Sequence, residues 1–340
     1  MRRMDSRFRG NDSLVCAAIA IAQFGKSQLS RTVRPCHYFA RCVALSRIGL
    51  AAALAAALAG CAMERGATAG GEPPGTVIYA VGDIAQCGNK PPSEAAAART
   101  AALLRETTGA ILALGDLAYP TGSYADFATC FESTWGELKP RILPVPGNHE
   151  YQTTGALPYY AYFAAAAGAP GKGYYSTRIG AWHVVALNSN IDVAAGSEQA
   201  RWLFNDLAAH NAGCTLAFWH HPLFTSAQRE SAPLMRDIWQ ILYAGGVDIV
   251  LNGHEHVYER FAPQGPTGAA DPAQGIRQFI VGTGGANGRF FGRVMPNSEV
   301  RERGIFGALK LSLREDGYTW QFLPVAGQKF QESGEGRCHR

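Results

Sequence analysis

The sequence has no uninterrupted apolar run of the ~20 residues that a helix needs to cross a bilayer. Its most apolar stretch, Ile48 to Cys61, is 14 residues long, which argues against a membrane-spanning helix. Charge is scarce, at 17% of residues, and unevenly placed. Residues 1–60 hold nine of the 31 Lys and Arg but only Asp5 and Asp12 of the 27 Asp and Glu. From Cys61 onward 22 basic residues stand against 25 acidic ones, a net charge of −3. Without a clustered basic face the chain carries no nucleic-acid footprint. No internal repeat is present, and no second domain boundary follows Gly75. With 47% hydrophobic residues over a length of 340, the composition is that of a globular protein rather than a disordered one.

The N-terminal apolar stretch has the grammar of an export signal. Arg41 and Arg47 precede Ile48-Gly49-Leu50 and an Ala/Leu run that ends on small residues. Leu58-Ala59-Gly60-Cys61 resembles the lipobox of bacterial lipoproteins, which implies lipidation at Cys61, a lipid anchor, and a periplasmic or cell-envelope location. The other reading is a plain secretory signal. Residues 1–40 are too long and mixed for a signal's basic start, so initiation is expected near Val43 or Leu45. The expected organisation is a leader over 1–61, a Gly/Ala/Pro linker over 62–75 and one folded domain over 76–340.

Four of the eight cysteines lie beyond Cys61: Cys87, Cys130, Cys214 and Cys338. An even number in an exported chain favours disulfides over buried thiols, and four cysteines allow three pairings. The expected pairs are Cys87 with Cys130, tying two loops that follow candidate ligand strands, and Cys214 with Cys338, fastening the C-terminus.

Apolar runs suited to buried strands recur at 76–81, 110–114, 141–145, 215–219 and 247–251. Helical patterns lie between them. Ser93 is positioned to cap Glu94–Thr107, and Ser197 to cap Glu198–His210, with Ala200, Leu203, Phe204 and Leu207 as one stripe. A third helix is expected from about Pro233 to Tyr243. Such alternation implies an α/β fold. Two hairpins, turning at Ile179-Gly180 and Glu315-Asp316-Gly317, make its sheets mixed rather than purely parallel.

Each central run is followed by a metal-competent side chain: Asp83, Asp116, Asn148, His220, and finally His254 with His256. Asp83 to Asp116 is 33 residues, Asp116 to Asn148 is 32 and His220 to His254 is 34, each about one strand–helix–strand unit. Ligands of open α/β sheets bind at the carboxyl ends of strands, so these groups share one crevice. A glycine before most of them permits a sharp turn or a close approach. Two carboxylates, an amide and three imidazoles exceed one tetrahedral site and suit a pair of hard or borderline cations. On an extended segment His254 and His256 would project to the same side.

The blocks GDIA, GDLAY, GNHE, HHP and GHEH, in this order, resemble the signature of calcineurin-like metallophosphoesterases. More narrowly they resemble the purple acid phosphatase branch, because Ala85 replaces the usual His two residues after the first Asp, and Tyr119 stands three residues after Asp116. The resemblance implies a sandwich of two mixed β-sheets flanked by helices, with a dinuclear site at strand C-terminal ends. By position, Asp83, Asp116, Tyr119 and His256 would hold Fe3+. Asp116, Asn148, His220 and His254 would hold Zn2+, Mn2+ or Fe2+, with Asp116 as the bridge.

The implied activity is phosphomonoester hydrolysis of a small phosphorylated substrate by a hydroxide bridging the two ions. His149 would stabilise the phosphoryl group or protonate the leaving oxygen. Alternatives are a phosphodiesterase with the same centre, or a non-catalytic binding module. His221 and Arg229 are assigned to the substrate pocket, His183 and His210 to structural roles. Glu150 either orients His149 or is a solvated turn residue. The loop after His220 lacks the His that plant members carry there, and their separate N-terminal β domain is expected to be absent, since only the linker precedes Thr76.

Overall fold

The computed structural model describes residues 75–210, 212–228 and 233–339. Cys61 and Arg229, with the leader and all but the last residue of the linker, lie outside the described residues. The strands in chain order are β1 (Thr76–Val81), β2 (Ala110–Leu114), β3 (Ile142–Val145), β4 (Tyr175–Ile179), β5 (Trp182–Ala186), β6 (Thr215–Trp219), β7 (Ile249–Asn252), β8 (Val257–Phe261), β9 (Arg277–Val281), β10 (Ser298–Arg303), β11 (Gly307–Leu313), β12 (Gly317–Pro324) and β13 (Ser333–Arg337).

They form two mixed sheets, ordered β13-β12-β11-β1-β2-β3 and β10-β8-β9-β7-β6-β5-β4. Parallel pairing joins β1, β2 and β3 in the first sheet, and β5, β6, β7 and β9 in the second. Their carboxyl ends therefore lie on one side.

The alternation of a pleated strand sorts the same apolar runs onto two faces. Ile78 and Ala80 of β1 point between the sheets, into a core with Leu112, Phe218, Leu251 and Phe279. Tyr79 and Val81 point outward, where Leu104, Phe131 and Trp135 cover them. On the second sheet Val185, Ala217 and Val250 are covered by Leu203, Ile238 and Trp239. Both faces of the central strands are buried, which is why their sequences read as continuous apolar runs.

Two helix expectations are corrected. Ser93 does not cap: it lies inside a short 3-10 turn, Pro92–Glu94, and the helix Ala96–Arg105 starts later with no side-chain cap. Proline fixes the φ that a first turn requires, so Pro92 starts that turn ahead of the helix. In the helix Glu198–Ala209, Ser197 caps as expected, accepting from Ala200 N. Leu203 is buried, but Phe204 is 64% exposed, one step of about 100° off the stripe that meets the sheet.

Disulfides join Cys87 to Cys130 and Cys214 to Cys338, at Cα separations of 5.9 and 5.4 Å. Among the described residues no helix is long and apolar enough to cross a membrane.

Candidate metal centre

Beyond the strand ends the two stacked sheets are joined through glycines. Gly82 N donates to Val281 O at 2.8 Å, and Gly284 N donates to Gly82 O at 2.9 Å. That junction brings groups following β1, β2 and β3 against groups following β6 and β7.

Asp83, Asp116 and His254 sit in the left-handed region, with φ of 59°, 51° and 70°. Such backbone costs about 1–3 kcal/mol per non-glycine residue and marks sites where surrounding structure imposes it. Neighbouring glycines make room. A Cβ on Gly147 would lie 2.2 Å from Asp116 Oδ1, and one on Gly115 would lie 2.6 Å from His220 Nδ1.

Each aspartate is held by one oxygen and presents the other. His254 N donates to Asp83 Oδ2 at 2.9 Å, and His149 N donates to Asp116 Oδ1 at 2.8 Å. Asp83 Oδ1 then stands 3.1 Å from the Tyr119 hydroxyl and 3.2 Å from His256 Nε2. The same hydroxyl lies 3.3 Å from Asp116 Oδ2 and 3.2 Å from His256 Nε2.

A second set shares Asp116 Oδ2. His220 Nε2 is 3.2 Å from it and 3.2 Å from Asn148 Oδ1, while His254 Nδ1 is 2.9 Å from Asn148 Oδ1 and 3.2 Å from His220 Nε2. Donors about 2.0–2.1 Å from a tetrahedral ion stand about 3.3 Å apart. Both sets match that spacing, and the donor types suit hard or borderline cations. Carbonyls fix the ring orientations behind them: His220 Nδ1 lies 2.8 Å from Leu114 O, and His256 Nδ1 lies 2.5 Å from Asn287 O.

His254 and His256 do reach neighbouring sets, but not from an extended segment as the sequence suggested. β8 begins only at Val257, and the left-handed His254 turns the chain between them.

The site's electrostatics favour cations. Burial pushes the His220 imidazole down, but Asp116 and Asp83 outweigh it and raise its pKa to about 9. Burial likewise opposes ionisation of Asp116, yet His220 and His149 hold it well below the usual carboxylate range. The Tyr119 hydroxyl is pushed well above its ordinary value by burial and by Asp83, Asp116 and Glu150. Its ionisation therefore calls for a strongly Lewis-acidic cation.

His149 stands beside the sets, its ring 4.3 Å from that of Tyr119 and its Nε2 3.8 Å from Asp116 Oδ2. Its Nδ1 contacts the Pro120 carbonyl, leaving Nε2 toward the crevice. His221 lies against His254, ring centroids 4.4 Å apart, with Nδ1 2.8 Å from Ser189 Oγ. One ring nitrogen of His221 lies within 4.8 Å of those of His220 and His254. That places His221, assigned from the sequence to the substrate pocket, beside the second set.

Glu150 proves neither solvated nor an orienter of His149. Fully buried, it accepts from Gly147 N and Asp116 N on one oxygen, at 2.7 and 3.0 Å, and from Leu117 N and Ala118 N on the other, at 2.8 and 3.1 Å. It clamps the turn after β2 to the turn after β3. The signal was available: a carboxylate three residues after a turn's first N–H is the reach-back of a capping box. Ser189 carried no local signal.

The calcineurin-like phosphoesterase family profile matches residues 72–258. Purple acid phosphatase 15 of Arabidopsis thaliana is 29% identical over 200 residues, 46% of this chain and 37% of its own length. Purple acid phosphatase 18 of the same plant is 30% identical over 188 residues, 48% and 41%. The chain thus spans about two-fifths of the length of these curated relatives.

Among solved structures, a purple acid phosphatase from yellow lupin (Lupinus luteus) seeds superimposes with a TM-score of 0.66 at 20% identity, over 76% of this chain and 53% of that one. GAP50, the anchor in the inner membrane complex of Plasmodium, does so with a TM-score of 0.61 at 11% identity, over 78% and 90%. At such identities these likenesses establish the fold alone. The matched span takes in every donor from Asp83 to His256, and the chain belongs to the calcineurin-like phosphoesterase family.

Proposed function

We propose that this protein is an exported, metal-dependent phosphomonoesterase of the purple acid phosphatase type. The observation that carries the reading is the pair of four-donor sets sharing Asp116 Oδ2, all donor contacts falling at 2.9–3.3 Å. Asp83, Asp116, Tyr119 and His256 would hold Fe3+, and Asp116, Asn148, His220 and His254 would hold Zn2+, Mn2+ or Fe2+. A pair of ions there would supply an activated water and offset the charge of a phosphate dianion. Tyr119 supports iron at the first set, because its hydroxyl resists ionisation against weaker cations.

His149 performs the proton work. Its Nδ1–H donates to the Pro120 carbonyl, so Nε2 faces the crevice, where the ring in its imidazolium form would donate to a phosphoryl or leaving-group oxygen. His221, steadied by Ser189, and Arg229 are assigned to the substrate's phosphate. The substrate is a small phosphorylated molecule. Two disulfides support an oxidising compartment, and Cys61 is the proposed lipid anchor of a periplasmic or cell-envelope lipoprotein, which mass spectrometry of the mature N-terminus tests.

Hydrolysis of paired aryl phosphate mono- and diesters by the metal-loaded protein tests the activity. A higher kcat/KM on the monoester, abolished together with metal binding in Asp116→Ala, is expected. A diester preference would make it a phosphodiesterase. An inert, metal-loaded protein would make it a binding module. A visible tyrosinate-to-iron band lost in Tyr119→Phe tests the first metal.

A further inference from the structure

We infer that His183, Asp206 and His210 form a separate cation site, for a borderline divalent ion such as zinc, at the end of β5 opposite the crevice. His183 is the second residue of β5, whose carboxyl end leads toward Ser189 and the metal centre. Asp206 and His210, four apart, lie at the C-terminal end of the helix Glu198–Ala209. One ring nitrogen of each histidine and a carboxylate oxygen of Asp206 lie within 4.8 Å of one another.

His183 and Asp206 form a buried pair at the heart of the cluster. His183 Nε2 and Asp206 Oδ2 are 2.9 Å apart, yet both are buried atoms that make no aligned hydrogen bond. Polar atoms at that depth are nearly always satisfied, and an ion bound by both would satisfy them. Both side chains are more than nine-tenths buried, at 4% and 8% exposure.

The supporting contacts resemble those of metal ligands. Ser176 Oγ donates to Asp206 Oδ1 at 2.7 Å, orienting the carboxylate and leaving Oδ2 to the site. His210 Nδ1 lies 2.8 Å from the Asp206 carbonyl, which sets its tautomer. Two imidazoles and one carboxylate select zinc-like ions over calcium or magnesium. A cavity of about 220 Å³ beside them, lined by Thr177, Arg178 and His210, leaves a fourth position for water or an anionic ligand. The sequence carries these residues with no shared motif, because helix and strand deliver them from 23 to 27 positions apart.

The test uses the full-length protein with its crevice loaded, titrated with Zn2+ and counted by equilibrium dialysis, with Co2+ absorption as a report on ligation. One further ion per chain is expected. Binding should weaken at least 10-fold in His210→Ala, which alters only a half-exposed side chain, and vanish in His183→Ala, while aryl phosphate hydrolysis is unchanged in His210→Ala. A wild-type protein that takes no ion beyond the crevice pair, or a further ion bound as tightly by His210→Ala, overturns the proposal. Should the crevice itself take no ions, the same variants still remove one, so this site and the proposed activity fail separately.

Discussion

Gly147→Ala isolates a single steric contact at the centre of the site. Gly147 is not in the left-handed region, so alanine brings no backbone strain, only a methyl group. That methyl would lie 2.2 Å from Asp116 Oδ1 and 2.3 Å from Asp116 N. Ordinary contact begins near 3.4 Å, so one side must move by about 1 Å. Asp116 is pinned by the His149 and Glu150 bonds, and Gly147 N is itself held by Glu150 at 2.7 Å. The displacement therefore falls on the carboxylate shared by both donor sets.

Misplacement of about 1 Å at a reacting centre costs about 10²-fold in rate, and overpacking costs about 1–3 kcal/mol of stability. The assay is kcat/KM on an aryl phosphate, with metal content by mass spectrometry. Gly265→Ala serves as control, its methyl meeting nothing closer than 3.9 Å. A Gly147→Ala enzyme within threefold of wild type, with both ions bound, would refute the bridging role given to Asp116.

Three further predictions concern stability. Glu150→Gln leaves two of the four clamped N–H groups facing an amide NH2, at about 1–3 kcal/mol each. Burial and Asp116 push the Glu150 carboxyl up to about 7, so loss of a strained charge offsets part of this. A net loss of about 1–3 kcal/mol in urea unfolding is expected, and a more stable variant would contradict the clamp.

Cys214→Ser closes no loop across a sequence separation of 124, against 43 for Cys87→Ser. Chain entropy predicts losses of about 5 and 4 kcal/mol respectively; the reverse order in denaturant melts would contradict that account.

Buried Asp248 has its carboxyl raised to about 6 by desolvation, against the opposing bonds from Thr215 N and His339 N. The unfolded chain releases this proton near pH 4 and the folded one near pH 6, so the folded state binds more protons in between. Its contribution to stability should fall by about 2–3 kcal/mol as pH rises through that window and stay lost above it. Parallel pH profiles of wild type and Asp248→Asn that show no difference in slope between pH 4 and 6 would sink the assignment.

How far the sequence could be read follows from where each residue's partners lie. β1, β2 and β6 were legible to the residue, because burial on both faces forces an unbroken apolar run. β13 was not: Ser333-Gly334-Glu335-Gly336-Arg337 has no apolar pattern and is a strand only through pairing with β12. Its glycines are there for contacts elsewhere in the chain, since a Cβ at Gly334 would lie 2.3 Å from the Trp320 ring. Glu150 was legible only in its reach back to Gly147 N, because its partners 32 to 34 residues away are bare N–H groups that every residue carries.

The amino-acid sequence by itself determined which donor side chains gather at the crevice, because the donor types and their one-unit spacing are local properties of strand ends. It also determined the family, through motifs that stand beside those strands. The tertiary structure alone decided how the donors are shared: that Asp116 presents one oxygen to both sets, that a left-handed His254 separates the two histidines, and that Glu150 binds backbone rather than His149. Those outcomes depend on two sheets meeting within hydrogen-bonding distance at Gly82 and Gly284, and no stretch of one chain records how closely another will approach it.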